Sequence, residues 1–496
     1  MATVNSTASY AAKHHHLKYK ILGKTGFTTS ICGFGCYRVD DAIAEHHKAL
    51  GYALENGINL IDTSSNYASG GSEKLVGNVI RKITSRNRNK LDEIIVITKG
   101  GYLQANNLHY AIERENSGDP IPEVVKCSPD LWHCIHPEFL KEQIDNSLKR
   151  LQLKRIDVYL LHNPEYFLTY SKLTPNKEKR KEYYRRIKQA FIYLETEVKR
   201  GRILYYGVSS NTFVEKEERN NFTSLERIYE VANKISVDNH FAIIQFPFNL
   251  IEEGAISNFN QQQGKKTLLE FASEKNLGII VNRPLNAISN NKIIRLSDFK
   301  IMEERSRDEI NDLISSLTEI EKGLIEDFVE KIDIEKVDKN NLLECLSIGK
   351  LLENNYDKFE SPNQFKDMKV MYLIPRANFA ISEVGRYFGK GKHVVRRLNH
   401  YALTVNITLD SVESDLARHW NEMNKKLHNE LDKHLNDRER KLKLSQKAIL
   451  FINSLNEISS TLVGMRKLNY VKDVIAYMKI QSDKNLQSYW EQKLKL

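Results

Sequence analysis

Short apolar runs rich in β-branched residues, each ending in a polar residue and each followed by an amphipathic segment, recur along this chain and leave few folds open to it. Residues 58–61, 94–98 and 158–161 are too short and too uniformly apolar for half-exposed strands, and they read as strands buried on both faces of a parallel sheet. Helical spacing of apolar residues covers 42–54, 73–83, 137–151 and 183–199. Such alternation implies right-handed β–α–β units. Continued through 204–207, 242–246, 278–282 and 461–463, it brings the strand count to eight and predicts a closed (β/α)₈ barrel. The leading segments 19–22 and 28–31, joined around Gly23 and Gly26, read as a hairpin across the barrel floor.

One interval breaks the rhythm. Between the seventh strand and the helix predicted at 445–455, some 150 residues stand where a βα loop is usually a few residues long. Helical spacing in 309–331 and 412–443 and an apolar, partly β-rich stretch at 368–381 mark these residues as folded. The predicted organisation is a flexible N-terminus (1–17), a barrel body (18–286), an inserted, mostly helical subdomain (287–440) and a barrel completion (441–496). Springing from a βα loop, the insertion is expected on the catalytic face, as a lid. The acidic stretch 303–338 and the basic patch 386–397 are expected to pair or face water, with Gly-Lys-Gly-Lys at 389–392 the alternative anion site.

Charge and cysteine usage narrow the function. A formal net charge of +10 comes from 74 basic residues interleaved with 64 acidic ones, and the densest basic run, 177–186, opens a predicted helix. No nucleic-acid motif accompanies it, so no nucleic-acid partner is expected. No apolar run is long enough to span a bilayer, and no secretory signal is apparent; no membrane partner is expected and the reading is cytoplasmic. Five cysteines fit free thiols in a reducing compartment. Cys127, His133, Cys134 and His136 cluster without the paired spacing of a zinc site, so no metal is predicted.

The polar strand ends carry the chemistry. Asp62 and Tyr67 follow the second strand, Lys99 ends the third and His162 ends the fourth, which places an acid, a phenol, an amine and an imidazole on one rim of a parallel barrel. A phenol of pKa about 10 is a poor acid–base group at neutral pH unless a cation lies nearby, and Lys99 is positioned to be that cation.

These residues, with the segments LGKTGFTTSICGFGCYR, GINLIDTSSNYASGGSEKLVG, SLKRLQLKRIDVYLLHNPE, GRILYYGVSSN, IIQFPFNL, GIIVNRPLN and STLVGMRKLNYVKDVI in this order, resemble the aldo-keto reductase family over roughly 18–286 and 441–496. The resemblance implies an NADP(H)-dependent oxidoreductase that reduces an aldehyde or ketone or oxidises its alcohol. In it Tyr67 gives the proton, Lys99 and Asp62 support it, and His162 orients the carbonyl oxygen. It further implies cofactor contacts from Ser209, Ser210 and Gln245 to the carboxamide and from Phe248 to the nicotinamide face. Pro284 and Leu285 would lie by the pyrophosphate, and Arg466, Lys467 and Asp473 by the adenosine end, with a Ser at 210 where the family has Asn, an Asp at 473 where it has Glu, and Val474 where it commonly has Asn. The alternative is a cofactor-binding regulatory protein whose insertion docks a protein partner, as some relatives in this family do.

Overall fold

The computed structural model describes every residue except 86, 175, 290–291, 333–338, 360, 390, 481–484 and 495–496. The chain divides into two compact units, Met1–Leu296 with His434–Leu496, and Ser297–Lys433.

The first unit is a closed barrel of eight parallel strands: β1 (Cys32–Gly35), β2 (Leu60–Asp62), β3 (Ile95–Gly100), β4 (Ile156–His162), β5 (Ile203–Ser209), β6 (Phe241–Pro247), β7 (Gly278–Asn282) and β8 (Ser460–Gly464). Spatial order follows chain order, and β8 closes the ring against both β7 and β1. Every residue of β2, β3, β4 and β6 is buried, because side chains alternate between the barrel interior and the surrounding helices. Leu60, Ile95, Ile97, Val158, Leu160, Ile243, Ile280 and Leu462 fill the interior. Tyr19–Ile21 and Thr28–Ser30 pair antiparallel ahead of β1, and Leu22 and Phe27 from this hairpin join that interior cluster.

The N-terminal stretch expected to be flexible is instead a helix, Val4–Lys13, begun by the Thr3 side chain accepting from the Ser6 amide. Two anchors explain it: the Tyr10 hydroxyl donates to the Leu54 carbonyl at 2.7 Å, and Ala2 is buried in the barrel's interior cluster. The basic run at 177–186 lies in the helix Asn176–Lys199, where Arg180 donates to the carbonyls of Glu217, Arg219 and Phe222, and Arg185 and Arg186 pair with Glu182 and Glu123. These charges brace loops.

In the second unit the regular structure of the described residues is helical, with Arg307–Asp327, Ile348–Asn355, Ile374–Phe388 and the 41-residue Lys392–Asp432 as its main elements. The stretch 368–381, read as partly β-rich, is helical: Leu373, Ala377, Ala380 and Val384 recur at helical spacing and are buried together with Leu317, Leu352, Tyr401 and Leu409. Glu321 ties three helices together, its carboxylate accepting from the Ile348 and Gly349 amides at 3.0 and 2.9 Å and from the Tyr401 hydroxyl at 3.2 Å. Arg397 of the basic patch pairs with Asp327 of the acidic stretch at 2.8 Å; Lys390 and residues 333–338 lie outside the described residues.

Gly207 sets how closely β5 and β6 approach. A Cβ there would lie 1.9 Å from the Ile243 carbonyl oxygen, where the register between the two strands shifts. Backbone must move to admit it. Gly207→Ala is expected to cost about 3 kcal/mol or more by overpacking, and a variant with wild-type stability in urea would refute this account of the β5–β6 spacing.

Candidate active site

Four strand ends meet at one rim around a buried ion pair. Lys99 is fully buried near the end of β3 and Asp62, 3% exposed, ends β2. The Lys99 ammonium donates to Asp62 Oδ2 at 2.6 Å, to the Thr63 carbonyl at 2.9 Å and to Tyr67 Oη at 3.5 Å. Three acceptors satisfy its three protons. The second oxygen of Asp62 accepts from Gln245 Nε2 of β6 at 2.8 Å, so the carboxylate is held from both sides of the barrel. Burial pushes the Asp62 carboxyl above its ordinary range, against the opposing pull of Lys99 and Gln245.

Tyr67 opens a one-turn 3₁₀ helix, Tyr67–Gly70, in which Ala68 and Ser69 adopt left-handed φ of 48° and 52°. The phenol meets the edge of His162 at 5.9 Å and of Tyr37 at 5.2 Å between ring centroids. The expectation that Lys99 would favour phenolate is not met in this arrangement. Burial, and then the charge of Asp62, hold the Tyr67 hydroxyl well above its ordinary pKa, because the ammonium is already balanced by a carboxylate 2.6 Å away. The phenol keeps its proton.

His162 ends β4, and burial followed by the Lys99 charge drives its pKa well below 6.5, so the imidazole is neutral at physiological pH. Its Nδ1 lies 3.0 Å from the Ser64 hydroxyl, and its carbonyl 2.8 Å from Nε2 of the buried His133. His133, which ends the antiparallel strand Leu131–His133 of the cysteine- and histidine-containing segment, thus supports His162 from behind.

The residues expected to hold a cofactor divide into two groups. Ser209 ends β5 and donates to Gln245 Oε1 at 3.0 Å; Asn282, at the end of β7, reaches the same oxygen at 3.5 Å. With its Nε2 on Asp62, Gln245 has its amide engaged at both ends and orients the ion pair. Pro284 and Leu285 form the turn after β7, and Arg466 and Lys467 the loop between β8 and the helix Leu468–Met478, all at the same barrel end. Ser210, Phe248 and Asp473 are drawn elsewhere. The Ser210 hydroxyl accepts from the Thr212 amide and joins a chain through Thr212 and Thr223 to Tyr183. Phe248 is buried against Trp490, ring centroids 5.1 Å apart, and Asp473 pairs with Lys443 at 2.8 Å.

Sequence reasoning missed Ser64, Asn66, Glu165 and Asn282. The signal for them was nearness to strand ends, which loop residues of any role share. Their distinguishing contacts cross from one strand end to another.

The family model of the Aldo/keto reductase family matches residues 33–333. The chain belongs to the aldo/keto reductase family. It is similar to Aldo-keto reductase YhdN of Bacillus subtilis, 27% identical over 155 residues, covering 30% of this chain and 39% of that protein. It is likewise similar to the NADH-specific methylglyoxal reductase of Escherichia coli, 29% identical over 156 residues, covering 28% and 40% respectively. The chain therefore spans about two fifths of the length of these curated relatives. Among solved structures, an aldo-keto reductase from Bacillus halodurans in its holo form matches at 15% identity and a TM-score of 0.45, over 97% of this chain and 96% of that one. An aldo/keto reductase from Klebsiella pneumoniae in complex with NADP and acetate matches at 18% identity and 0.33, over 54% and 69%.

Glu165 gives the rim a titration of its own. It is buried, accepts from the Asn211 amide at 2.8 Å, and burial pushes its carboxyl up to about 7. A folded-state pKa above the unfolded value means that the native state holds the extra proton, so Glu165 lowers stability as pH rises from about 4.5 through 7. Glu165→Gln keeps the oxygen facing Asn211 and removes the charge. Its stability should match wild type near pH 4.5 and exceed it by up to about 3 kcal/mol at pH 8 in chemical denaturation; an offset independent of pH would rule the titration out.

Proposed function

We propose that this chain is an NADP(H)-dependent oxidoreductase that interconverts an aldehyde or ketone with its alcohol. The observation that carries the reading is the Lys99 ammonium, fully buried and shared between Asp62 Oδ2 at 2.6 Å and Tyr67 Oη at 3.5 Å on the C-terminal rim of a parallel barrel. Removing a lysine and an aspartate from water is costly, and a purely structural rim would be served as well by apolar residues. The arrangement suits proton transfer at the phenol.

The residues fit a nicotinamide cofactor. Asn282 Oδ1 is buried at the rim with no hydrogen-bond partner, an open acceptor for a carboxamide N–H. Among the described residues no carboxylate pairs with Arg466 or Lys467, which leaves two cations beside the N-terminus of Leu468–Met478 for phosphate. A bound nicotinamide would supply or take up the hydride. Tyr67, held as a phenol, gives its proton to the carbonyl oxygen as negative charge develops there. Lys99 is the hydrogen-bond donor beside the oxygen that loses the proton, Asp62 and Gln245 keep Lys99 in place, and neutral His162 bounds the substrate side of the phenol. Ser209 acts through Gln245.

Tyr67→Phe should lower kcat for NADPH-dependent reduction across a panel of aldehydes by about 10²–10⁴ while leaving NADPH affinity nearly unchanged. Retention of half the wild-type rate would remove Tyr67 from this role. The cofactor assignment is tested at the other end of the site. Arg466→Ala should weaken NADPH binding by about 1.5–3 kcal/mol and NADH binding much less, measured by fluorescence titration; equal losses would exclude a contact to the 2′-phosphate.

A further inference from the structure

The outer faces of two barrel helices and the loop after β1 form a concave, basic surface that the proposed chemistry does not use. The helices Gly71–Thr84 and Pro137–Leu151 approach closely because residue 77 is glycine: a Cβ there would lie 2.6 Å from the Leu151 carbonyl oxygen. Two adjoining hollows, of about 460 and 560 Å³, open on this surface and share Asp41 and Asn78. Lys74, Lys149 and Arg150 line the first, where Ser69 adds a hydroxyl from the turn that carries Tyr67; Arg81 and Lys82 line the second. Volumes of this size suit a small molecule. Lys74 and Lys82 stand on one helix, and at 1.5 Å per residue about 12 Å separates the two cationic groups along its axis.

Two ordinary explanations for such charges fall short here. Arg81, Lys82, Lys149 and Arg150 lie at the C-terminal ends of their helices, where a cation complements the macrodipole, but Lys74 lies in the first turn of its helix, where the dipole opposes a positive charge. Ion pairing does not account for the group either. Among the described residues no carboxylate pairs with Lys74, Arg81, Lys82 or Lys149, whereas Lys126 and Lys141 on the same barrel pair with Glu115 and Asp145 at 2.6 and 3.0 Å. Arg150 is fixed in advance: its Nε donates to the fully buried Glu73 at 2.6 Å, and it packs over Gly70, where a Cβ would lie 2.8 Å from Arg150 Cδ. Between the two cationic groups stands one carboxylate, Asp41, whose Oδ1 meets Asn78 at 2.8 Å and His47 at 3.1 Å. The order along the surface is cations, an acceptor, cations.

We propose that this surface is a binding site for a small molecule that carries a phosphate group at each end of a hydroxylated body. One phosphate lies among Lys74, Lys149 and Arg150, the other at Arg81 and Lys82, and a hydroxyl between them donates to Asp41. The Asp41 charge opposes a continuous polyanion, which gives the site its preference for two separated anionic ends. The site is independent of the proposed carbonyl reduction and stands or falls without it.

Calorimetric titration of the full chain tests it, with NADP⁺ present to compete for phosphate at Arg466 and Lys467, and with fructose 1,6-bisphosphate, fructose 6-phosphate and inorganic phosphate as probes. The bisphosphate should bind about tenfold or more tightly than either of the others. The double variants Lys74→Ala/Lys149→Ala and Arg81→Ala/Lys82→Ala should each weaken the bisphosphate by about tenfold or more, to the level of fructose 6-phosphate. Lys141→Ala removes a paired cation from the same helix as Lys149 and should leave the affinity unchanged. All five positions are exposed on the helix surfaces, so the variants should melt with the wild type. Equal affinity for the three probes overturns the proposal, as does a loss confined to one of the two pairs, an equal loss in Lys141→Ala, or a wild-type chain that binds none of them.

Discussion

The buried pair of Lys99 and Asp62 is the constraint to which the rim is fitted. A lysine with no exposed surface is tolerable only if each of its protons finds an acceptor, and those acceptors come from the end of β2, the residue after it and the turn that carries Tyr67. The second carboxylate oxygen then recruits Gln245 from across the barrel, and Gln245 recruits Ser209 and Asn282. Five of the eight strands are thus coupled through one charge. Removing any member leaves a buried polar group without its partner, which costs more than the contact itself contributes.

Charge balance at this centre also explains why the phenol and the imidazole differ from their behaviour in water. The ammonium is neutralised at short range by Asp62, so it lends little field to Tyr67, and burial dominates. The same burial, with Lys99 and His133 nearby, keeps His162 uncharged. A neutral donor and a neutral ring beside a compensated ion pair make a site whose hydrogen-bond directions matter more than its net charge.

Much of this was legible in the sequence for a geometric reason. In a parallel barrel the end of each apolar run fixes the rim, so Asp62, Lys99 and His162 could be placed from strand length alone. The family resemblance added the chemistry. What the sequence did not carry were contacts whose partners lie far along the chain. Phe248 is buried by Trp490, more than 240 positions later, and Gln245 reads as a ligand contact until barrel closure puts Asp62 against it. The helix Val4–Lys13 was hidden because its polar composition resembles a free terminus, while its order depends on Tyr10 reaching the carbonyl of Leu54. The stretch 368–381 misled through local β propensity, which packing against the neighbouring helices overrode.

The position of the second unit in the chain has a consequence for biogenesis. β1 and β7 are the two edges of an open sheet until β8 joins them, and β8 lies beyond the unit Ser297–Lys433. At about 5–20 residues per second, translation of those roughly 140 residues holds two apolar edges unpaired for about 7–30 s. Over that interval the nascent barrel carries the aggregation hazard of any exposed strand edge, so chaperone engagement during synthesis would be concentrated after β7 emerges.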